Sequence, residues 1–592
     1  MVLFVIFFLR LLYFPNSFLY IMKDKEDFFT NEKLISQLIS FRAKKAKSNH
    51  DLHISQSYLK TRKEIKDSET IYDIMPPRRK WVNLGQKYRK NGKFFLDNSV
   101  KVNKKRLELT IERDRKKRVN KPIYYKNLQK YLRKQKLRVF FYKKLKICKP
   151  KVIPIPKNST TLRPLCSYNF DDNLILKEVN SYLTKKFDIL FFDCSFAFRS
   201  KNKDNHVPTH HDTIVKIKEY LQIHKGEQIY VAECDLQKFF DTINHQVIKE
   251  SYNKAINDKR VSISKRNKKI VSKIVEEYLS SYNFVDNVKA LENNLNFNNT
   301  YENKTFGWIK EKELIALYGE KYKEEKLGIP QGGPLSGLFA NLVQNKVDEA
   351  IINLNDPDLL YLRYCDDMIM LHIDENKLAT AYNLYQEKIK ENKLFIHSPE
   401  NINNKWYSRK FYDKKSKSPY KWGNASLRQI PWISFVGYQI HYSGEIRVRK
   451  ASIKKEQTKQ HKLVNKTIAD IKKSGIKKSK EEIKDSVNKR LIGMSVGRIF
   501  LYNTKKDSSL CWSYGFSELT KNKYSLYEMK LLDRSRKKAY GELCKFLNTL
   551  PKEEKNDENC SDKKVTRQII YYGKTYSYYN WLDNKGDDNE EN

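Results

Sequence analysis

The 592-residue sequence contains little glycine or proline, with 19 and 16 residues respectively. This scarcity excludes a collagen-like chain and a chain dominated by flexible linkers. Hydrophobic residues make up 40% of the chain and aromatic residues 13%, so the sequence can form packed cores and is not disordered as a whole. A chain of this length is expected to fold as about two to four domains.

Cysteine is also scarce, with eight residues, and no two of them have the C-x-x-C spacing that is typical of zinc sites. Eight cysteines in so long a chain do not indicate a disulfide framework, and a reducing, cytoplasmic compartment is predicted. His210 and His211 are adjacent in the sequence, so they cannot bind one metal ion from the same helix face. We expect these two histidines in a loop.

The sequence lacks the uninterrupted apolar run of about 18 residues that indicates a membrane-spanning helix. Residues 1–21 are mostly apolar, but Arg10 and Pro15 interrupt them. No basic segment precedes this stretch and no small-residue cleavage site follows it, so a secretory signal is not indicated. The charged sequence after Met22 predicts that translation begins there and that residues 1–21 are a start-site artefact; a membrane anchor is the alternative.

Acidic residues are in deficit, with 70 Asp and Glu against 116 Lys and Arg, and the formal net charge is +46. A charge of this size predicts an anionic partner, with nucleic acid favoured over an anionic membrane. A compositional bias toward lysine is the alternative explanation. Residues 22–150 form a basic, mainly helical N-terminal extension. Within residues 124–145, near-helical spacing is found for Leu128, Tyr131, Leu132 and Leu137. The basic face of that helix either contacts nucleic acid or is solvated.

Residues 151–445 combine strand and helix patterns. Strands are predicted at Gln228–Asp235 and, as an edge strand or domain boundary, at Val152–Pro156. Two apolar runs, Leu359–Tyr364 and Met368–Ile373, flank the sequence Cys-Asp-Asp and predict a hairpin with acidic residues at its tip. The spacing of apolar residues predicts an amphipathic helix over Pro334–Ile352.

Three further segments differ in composition from this region. An insertion is predicted at about residues 250–326, and its part from 284 to 326 is rich in Asn, Lys and Glu and is expected to be surface-exposed. Residues 446–550 are basic and are predicted to be mostly helical. Residues 551–592 contain a tyrosine-rich segment, predicted to pack as a terminal β-strand, and a short acidic tail.

Asp235, Asp366 and Asp367 are the residues most suited to metal-dependent chemistry. Asp235 ends a predicted strand, and the other two occupy the predicted hairpin tip. Crowded carboxylates repel one another, and divalent cations relieve that repulsion. Two Mg²⁺ ions held in this way can activate a 3′-hydroxyl and stabilise a leaving pyrophosphate. A tetrapeptide of the form Tyr-x-Asp-Asp is weak evidence by itself, since a polar turn can have the same sequence.

Five sequence blocks occur together in a fixed order. They read I-P-K-N-S-T-T-L-R-P-L at Ile155–Leu165, A-E-C-D-L-Q-K-F-F-D-T-I-N-H from Ala232, L-G-I-P-Q-G-G-P-L-S-G-L-F-A-N-L from Leu327, then Y-C-D-D, and F-V-G-Y at Phe435–Tyr438. Over about residues 152–450, these blocks resemble the reverse transcriptase family, especially the bacterial lineage of group II introns and retrons. The resemblance implies an α+β, right-hand polymerase fold. Fingers and palm would span 151–445, with an antiparallel sheet plus helices in the palm, and a helical thumb 446–550.

The resemblance also implies roles for individual residues. Asp235, Asp366 and Asp367 would be catalytic and, with the backbone carbonyl of Leu236, would bind two Mg²⁺ ions, or Mn²⁺. Nucleotide binding is implied for Lys157, Arg163, Leu236, Phe240, Gln331 and Gly332. Phe240 would exclude ribonucleotides, although a core role is possible because Phe239 adjoins it. A primer-grip segment is implied for Phe435, Gly437 and Tyr438.

Some residues differ from the family motifs, and one feature indicates a particular subfamily. Thr160 and Thr161 stand where glycines are common, and Gly337 where proline is frequent. No His/Cys-rich endonuclease block follows the thumb, so the chain resembles the stand-alone "unknown group" enzymes of antiphage defence. Some of these relatives start DNA synthesis from a protein hydroxyl. This role is the alternative to a packed β-strand for the tyrosine-rich segment, and the candidate residues are Tyr576, Tyr578 and Tyr579.

The resemblance thus implies an RNA-directed DNA polymerase in bacterial antiphage defence. Its expected partners are an RNA template, specifically a structured non-coding RNA, dNTPs, a DNA product, and a second copy or a second reverse transcriptase subunit; a membrane partner is not expected. The alternatives are a group II intron-type mobile-element enzyme, a protein-primed or untemplated DNA polymerase, an RNA-dependent RNA polymerase, and an inactive RNA-binding scaffold.

Overall fold

The computed structural model describes residues 28–61, 70–90, 93–96, 99–201, 205–292, 297, 301, 304–399, 409–495, 511–551 and 577–585. The predictions for residues 1–21, for Tyr576 and for most of the acidic tail concern residues outside these ranges. Within the described ranges, no helix combines the length and the apolar character that crossing a membrane requires.

The N-terminal extension is mainly helical. It contains helices α1 (Asn31–Gln56), α2 (Thr70–Ile74), α3 (Ser99–Lys116) and α4 (Ile123–Phe140), and a short hairpin of β1 (Arg89–Lys90) and β2 (Lys93–Phe94). The side chain of Thr30 accepts a hydrogen bond from the backbone N–H of Lys33 at 3.3 Å. This contact caps the first turn of α1, where backbone donors otherwise lack partners.

Helix α4 confirms the helix predicted within residues 124–145 but corrects its apolar face. Leu128 and Tyr131 are buried, as are Gln135 and Val139 further along the same stripe. Leu137 is 38% exposed, so its assignment to the buried face is wrong. Leu137 follows Leu128 by nine positions, which places it on the opposite side of a helix with 3.6 residues per turn.

The remaining elements up to residue 422 follow one another closely. They are β3 (Lys151–Pro156), β4 (Thr161–Ser167), α5 (Phe170–Phe187), α6 (His210–Ile223), β5 (Ile229–Asp235), α7 (Phe239–Thr242), α8 (His245–Asn257), α9 (Lys265–Ser280), α10 (Ala290–Glu292), β6 (Thr305–Phe306), α11 (Glu311–Tyr318), α12 (Ser336–Ile352), β7 (Leu360–Tyr364), β8 (Asp367–His372), α13 (Glu375–Glu391), α14 (Arg409–Asp413) and β9 (Lys417–Trp422).

A small sheet has the strand order β3-β4-β6, so β3 lies at its edge as predicted. Strand β6 pairs in parallel with β4, with Thr305 opposite Thr161. The prediction that residues 284–326 form a surface-exposed insertion is therefore wrong in part. Phe284 and Phe306 of this segment are buried in the core beneath the sheet, together with Leu162 of β4. Leu314 is buried in a separate small cluster.

A central antiparallel sheet has the order β7-β8-β5-β9. It confirms the predicted strand before Asp235 and the predicted hairpin. Side chains alternate between the two faces, as strand geometry requires. Met370 belongs to the same hydrophobic cluster as Tyr385 of α13, whereas its neighbour Ile369 packs with Ile217 of α6. Helices therefore cover both faces of the sheet and leave its ends accessible.

The C-terminal part begins with a further, three-stranded sheet and continues as helices. Its elements are β10 (Trp432–Phe435), β11 (Tyr438–His441), β12 (Ile446–Val448), α15 (Lys450–Ser474), α16 (Lys480–Ser495), α17 (Lys523–Thr549) and α18 (Tyr578–Asp583). The helical prediction for residues 450–550 is confirmed in the described ranges. The β-strand predicted for the tyrosine-rich segment is wrong where the chain is described: Ser577 caps a short helix, α18, which packs on α17.

Candidate active site

Three aspartates meet at one end of the central sheet. Strand β5 ends at Asp235, and β8 begins at Asp367, which is its paired residue in the ladder. Asp366 lies in the turn that Tyr364 and Asp367 close. The preceding residue, Cys365, has a φ of +61°, a conformation that is costly for a residue with a side chain. The structure thus brings together the three carboxylates that the sequence predicts as catalytic.

The electrostatics of this end of the sheet favour bound cations. Burial raises the pKa of Asp366 above its usual range, and the carboxylate of Asp235 raises it further. Burial, with the charges of Asp366 and Asp235, raises the pKa of Asp367 to about 7. Carboxylates with mutually raised pKa values are costly to ionise, and divalent cations with oxygen ligands relieve that cost. This donor set therefore fits Mg²⁺ or Mn²⁺.

Leu236 contributes a backbone carbonyl beside these acids. Leu236 faces Ile396 across an isolated antiparallel bridge. The hydrogen bonds of that bridge run from Gln237 N–H to the carbonyl of Phe395 and from His397 N–H to the carbonyl of Asp235. The Leu236 carbonyl is left out of this pairing, as in the non-hydrogen-bonded positions of an antiparallel ladder. It is a suitable additional ligand for a cation at Asp235.

Lys415 is a functional candidate that the sequence analysis did not identify. Its ammonium forms a short ion pair with the Asp235 carboxylate and lies 3.2 Å from Nε2 of His397. The segment that ends in Lys415 precedes β9, and the Ser416 hydroxyl accepts the backbone N–H of Asp235 at 3.1 Å. No motif marks Lys415, because only the pairing of β9 with β5 brings this distant residue to the aspartates.

A buried ion pair supports the hairpin from beneath. The guanidinium of Arg363 donates to both carboxylate oxygens of Asp348 at 2.8 and 2.6 Å, and both residues are fully buried. Arg363 also donates to the hydroxyl of Ser195 at 2.8 Å and to the carbonyl of Cys365 at 3.2 Å. The hydroxyl of Tyr361 donates to Asp348 at 2.7 Å. This network holds the strained turn that carries Asp366.

The two adjacent phenylalanines after Asp235 have different environments. Phe239 is 2% exposed and belongs to the core, whereas Phe240 is only partly buried against it. Lys238, which precedes helix α7, has a φ of +51°, and the two rings that follow it meet edge to face, with centroids 5.5 Å apart. Phe240 is therefore the residue whose ring is available to a ligand, as the sequence analysis favoured.

Asp241 is a second buried acid that the sequence analysis did not single out. The side-chain amide of Gln331 donates to its carboxylate at 2.7 Å. Burial raises the pKa of Asp241 to about 6, although the positive charges of Lys238, Arg163 and Lys157 oppose this rise. Those three cations therefore lie near the same point. The predicted nucleotide-binding residues Lys157, Arg163 and Gln331 are brought together around Asp241.

The loop that contains Gln331 is fixed to the small sheet. The backbone carbonyl of Gln331 accepts a hydrogen bond from the N–H of Cys166 at 2.8 Å, and Leu165 and Gln331 form a parallel bridge. Gly332 has a φ of +86°, and a Cβ at this position would lie 2.9 Å from Cδ1 of Leu165. Glycine is therefore required here both for the backbone conformation and for the close approach of the two segments.

These residues coincide with a recognised family pattern. Residues 155–399 match the model of the family described as Reverse transcriptase (RNA-dependent DNA polymerase). The chain contains a reverse transcriptase domain. The matched span includes Asp235, Asp366 and Asp367, and also Lys157 and Gln331.

Solved structures show a more distant likeness. Apo telomerase from Candida tropicalis is 14% identical, with a TM-score of 0.35, and the match covers 67% of this chain and 64% of that chain. Telomerase from Candida albicans in complex with a TWJ fragment of telomeric RNA is 12% identical, with a TM-score of 0.32, and the match covers 73% of this chain and 69% of that chain. This chain thus spans less than two thirds of the Candida tropicalis protein. No curated protein matches the chain.

The predicted primer-grip segment lies beyond the C-terminal end of the reverse transcriptase domain match. Phe435 and Tyr438 pair across a tight turn in which Gly437 has a φ of +93°. The buried hydroxyl of Tyr438 lies 2.9 Å from Nδ1 of His211 and accepts the backbone N–H of Glu518 at 3.3 Å. This single hydroxyl connects the central region to the C-terminal helical region.

The adjacent histidines do not lie in a loop, as the sequence analysis expected. Helix α6 starts at His210, and Thr209 and Asp212 form a capping box that begins the helix there. Burial and the neighbouring His210 lower the pKa of His211 to about 4. His211 is therefore neutral at physiological pH and suited to the hydrogen bond with Tyr438.

Two of the three candidate priming tyrosines are described. Tyr578 is fully buried, and its hydroxyl donates to Glu456 at 2.9 Å and lies 3.3 Å from the amide of Gln460. A hydroxyl held in this way cannot reach a nucleotide, so the assignment of Tyr578 as a priming residue is wrong in this conformation. Tyr579 is only partly buried and has Lys530 4.8 Å from its ring.

A further group of possible metal ligands lies at the opposite end of the hairpin from the catalytic turn. It consists of Asp356, Asp358 and His372. Nδ1 of His372 accepts the backbone N–H of Asp374 at 2.7 Å, so the ring proton is on Nε2, which lies 3.2 Å from Asp356. Lys377 also pairs with Asp356 at 3.2 Å. Lys377 therefore balances the charge of one of the two carboxylates in this group.

We expect Mg²⁺ to stabilise the protein more at alkaline than at acidic pH. The pKa of Asp367 is raised to about 7 in the folded chain, so without metal the folded state binds more protons than the unfolded state. The free energy of unfolding therefore falls as the pH rises from about 4 to about 7. Mg²⁺ requires the ionised carboxylates. Thermal unfolding at about pH 6 and about pH 8, with and without Mg²⁺, should show the larger rise in Tm at the higher pH. An Asp366→Asn/Asp367→Asn variant should lose that rise, and an equal rise in both proteins would contradict the site.

Proposed function

We propose that this protein is an RNA-directed DNA polymerase that extends a primer with dNTPs by phosphoryl transfer. The observation that carries the proposal is the convergence of Asp235, Asp366 and Asp367 at one end of the central sheet, inside a reverse transcriptase domain. In this proposal residues 151–445 are the fingers and palm, and residues 446–550 are the thumb.

Asp235, Asp366 and Asp367, with the carbonyl of Leu236, would hold two divalent cations, Mg²⁺ or Mn²⁺. When bound, these cations lower the pKa of the attacking 3′-hydroxyl and neutralise charge on the leaving pyrophosphate. The carboxylates position both groups and must be ionised to do so. Lys415 pairs with one carboxylate oxygen, Oδ2, of Asp235, so its ammonium would compete with a cation for that oxygen.

Lys157 and Arg163 would hold the nucleotide triphosphate. Both side chains are exposed at one end of strands β3 and β4, and their charges act on Asp241 within the same site. Charge-assisted contacts from lysine and arginine are suited to phosphate oxygens. Lys238 would add a third cation; burial and the like charges of Lys157 and Lys415 lower its pKa, and the carboxylate of Asp241 raises it.

Replacing Phe240 with alanine should increase ribonucleotide incorporation relative to deoxyribonucleotide incorporation by about tenfold or more. The ring of Phe240 is proposed to occupy the space that a ribose 2′-hydroxyl requires. The measurement is the ratio of NTP to dNTP incorporation on one RNA template. Phe240→Tyr, which keeps the ring, should retain the wild-type ratio; an unchanged ratio in an active Phe240→Ala protein would remove the proposed role.

Phe435, Gly437 and Tyr438 are proposed to hold the primer end. The turn they form is fixed by His211 and by the segment that contains Glu518. Tyr579 is retained as a candidate hydroxyl for protein priming, since its ring is not fully buried.

We further propose that the protein acts in bacterial antiphage defence with a structured non-coding RNA. The sequence supports a nucleic-acid partner of this kind because it has basic segments on both sides of the reverse transcriptase domain. The RNA that copurifies with the protein should then be a single enriched species encoded near its gene. A random sample of cellular RNA would instead indicate that the basic surface binds nucleic acid without specificity.

The central test is primer extension on a defined RNA template with purified protein. Incorporation of dNTPs, strong preference over NTPs, and dependence on Mg²⁺ are expected. Preference for NTPs would indicate an RNA-dependent RNA polymerase. Extension that ignores the template sequence would indicate untemplated synthesis, and RNA binding without any incorporation would indicate a scaffold.

A further inference from the structure

An open groove of about 630 Å³ lies outside the candidate active site. The second half of helix α4 and the 3₁₀ turn Tyr142–Lys144 that follows it form this groove. We call it the α4 groove. Two apolar side chains are exposed in it: Leu137 at 38% and Phe141 at 46%. The cationic residues that line the groove are Lys130, Arg133, Lys134, Arg138, Lys144 and Lys146.

Three of these cations lie near acids of neighbouring helices. Lys134 pairs with Asp171 at 3.2 Å, and Arg138 pairs with Asp172 at 2.6 Å. Lys146 lies 3.5 Å from Glu277 of α9, which pairs more closely with Lys273 at 2.9 Å. The first two pairs hold the groove against α5 and add no net charge.

The other three cations are Lys130, Arg133 and Lys144. Each is exposed, and none has a carboxylate partner within 4 Å among the described residues. They give the α4 groove a net positive charge. Exposed cations around a concave surface attract an anion with several charges, such as a nucleic-acid backbone.

The aromatic ring in the groove has a defined orientation. Phe141 packs edge-on against Phe140, with ring centroids 5.0 Å apart and an interplanar angle of 88°. The guanidinium of Arg266 lies 5.8 Å from the centroid of the Phe140 ring. Phe141 is thus anchored by a neighbour while nearly half of its own surface stays exposed. An anchored aromatic ring among cations is the arrangement on which unpaired bases stack in single-strand binding proteins.

We propose that the α4 groove binds a single-stranded segment of RNA. A base stacks on Phe141, and backbone phosphates contact Lys130, Arg133 and Lys144. The choice of RNA over other polyanions rests on the proposed function. The groove is also continuous with that function in the chain, since residues 145–150 lead directly into β3, which ends next to Lys157. The six residues of β3 extend over about 20 Å.

The test uses the full-length protein and two variants of the groove. The first replaces Lys130, Arg133 and Lys144 with glutamine, and the second is Phe141→Ala. A matched control replaces Lys225, Lys421 and Arg428 with glutamine. These control residues are also two lysines and one arginine, all exposed, and Lys225 lines a different open cavity of about 660 Å³.

Binding of a labelled single-stranded RNA is measured at several salt concentrations. Nucleotide incorporation is measured separately, on a primer-template that is too short to extend from the active site to the α4 groove. The triple groove variant should reduce the slope of log affinity against log salt by about 2, from about 0.7 for each phosphate contact to a single strand. Phe141→Ala should weaken binding by about 5- to 100-fold, and Phe141→Trp should restore it. Incorporation on the short primer-template should stay at the wild-type level in all variants.

Several results would overturn the inference. One is an unchanged affinity and salt slope in both groove variants, and another is an equal change in the control variant. A third is that the groove variants lose binding to anionic lipid vesicles but bind RNA as the wild type does; this result would indicate that the groove binds a membrane. If neither the wild type nor any variant incorporates nucleotides on the short primer-template, the proposed function is wrong. The RNA-binding measurement still tests whether the α4 groove binds single-stranded RNA.

Discussion

Replacing Asp366 and Asp367 with alanine should reduce dNTP incorporation by about a thousandfold or more, to a level that is not detectable in a standard primer-extension assay. Metal ions supply several kcal/mol of transition-state stabilisation in phosphoryl transfer, and each 1.4 kcal/mol corresponds to a factor of about ten in rate. Without these two carboxylates, Asp235 alone cannot hold two cations.

The same substitutions should leave the fold intact. The raised pKa values of Asp366 and Asp367 show that ionising these groups is unfavourable in the folded chain, so their removal relieves repulsion. Circular dichroism and the Tm should therefore match or exceed the wild type without Mg²⁺. The matched control is Asp356→Ala/Asp358→Ala at the other end of the same hairpin, which should keep its activity. Undiminished incorporation by the first variant would refute the catalytic assignment.

Replacing Arg363 with methionine should lower the free energy of unfolding by about 3–5 kcal/mol. The change leaves the carboxylate of Asp348 buried without its cation, and the hydroxyl of Ser195 loses its donor. The cost is large because a buried charge without a partner cannot recover its lost hydration. Urea unfolding followed by tryptophan fluorescence gives the required midpoint shift.

A neighbouring ion pair provides the comparison. Lys254 pairs with Glu349 at 3.1 Å, and its side chain is 72% exposed; Glu349 follows Asp348 on the same helix. Lys254→Met should change stability by less than about 1 kcal/mol. The double variant Arg363→Met/Asp348→Leu should recover part of the loss, since an apolar pair leaves no buried charge. A loss below about 1 kcal/mol in Arg363→Met would show that the network does not support the hairpin.

The parts of the site that local patterns encode could be predicted from the sequence. Short runs of apolar residues located β5 and the hairpin, and the ends of these elements carry Asp235, Asp366 and Asp367. The Gly332 turn and the partly buried Phe240 also agree with their predicted positions. In each case the informative residues lie within a few positions of one another.

Long-range contacts were beyond the reach of the same reasoning. Lys415 approaches Asp235 only because β9 pairs with β5, and Arg363 meets Asp348 only because a strand packs on a helix. The errors have local causes as well. Leu137 lies off the buried stripe of its helix, and the aromatic side chains near Tyr578 suit a buried helix as well as they suit a strand, because burial rather than β-propensity decided their conformation.

The strand order β7-β8-β5-β9 has a consequence for synthesis on the ribosome. Strand β5 lies between β8 and β9, and both partners are encoded far downstream, at residues 367–372 and 417–422. At about 5–20 residues per second, the nascent β5 strand waits roughly ten seconds with both edges unpaired. An apolar strand with free edges is prone to associate with other chains. Production of the active protein should therefore depend on chaperones that bind nascent chains, and slower growth at low temperature should raise the yield of folded protein.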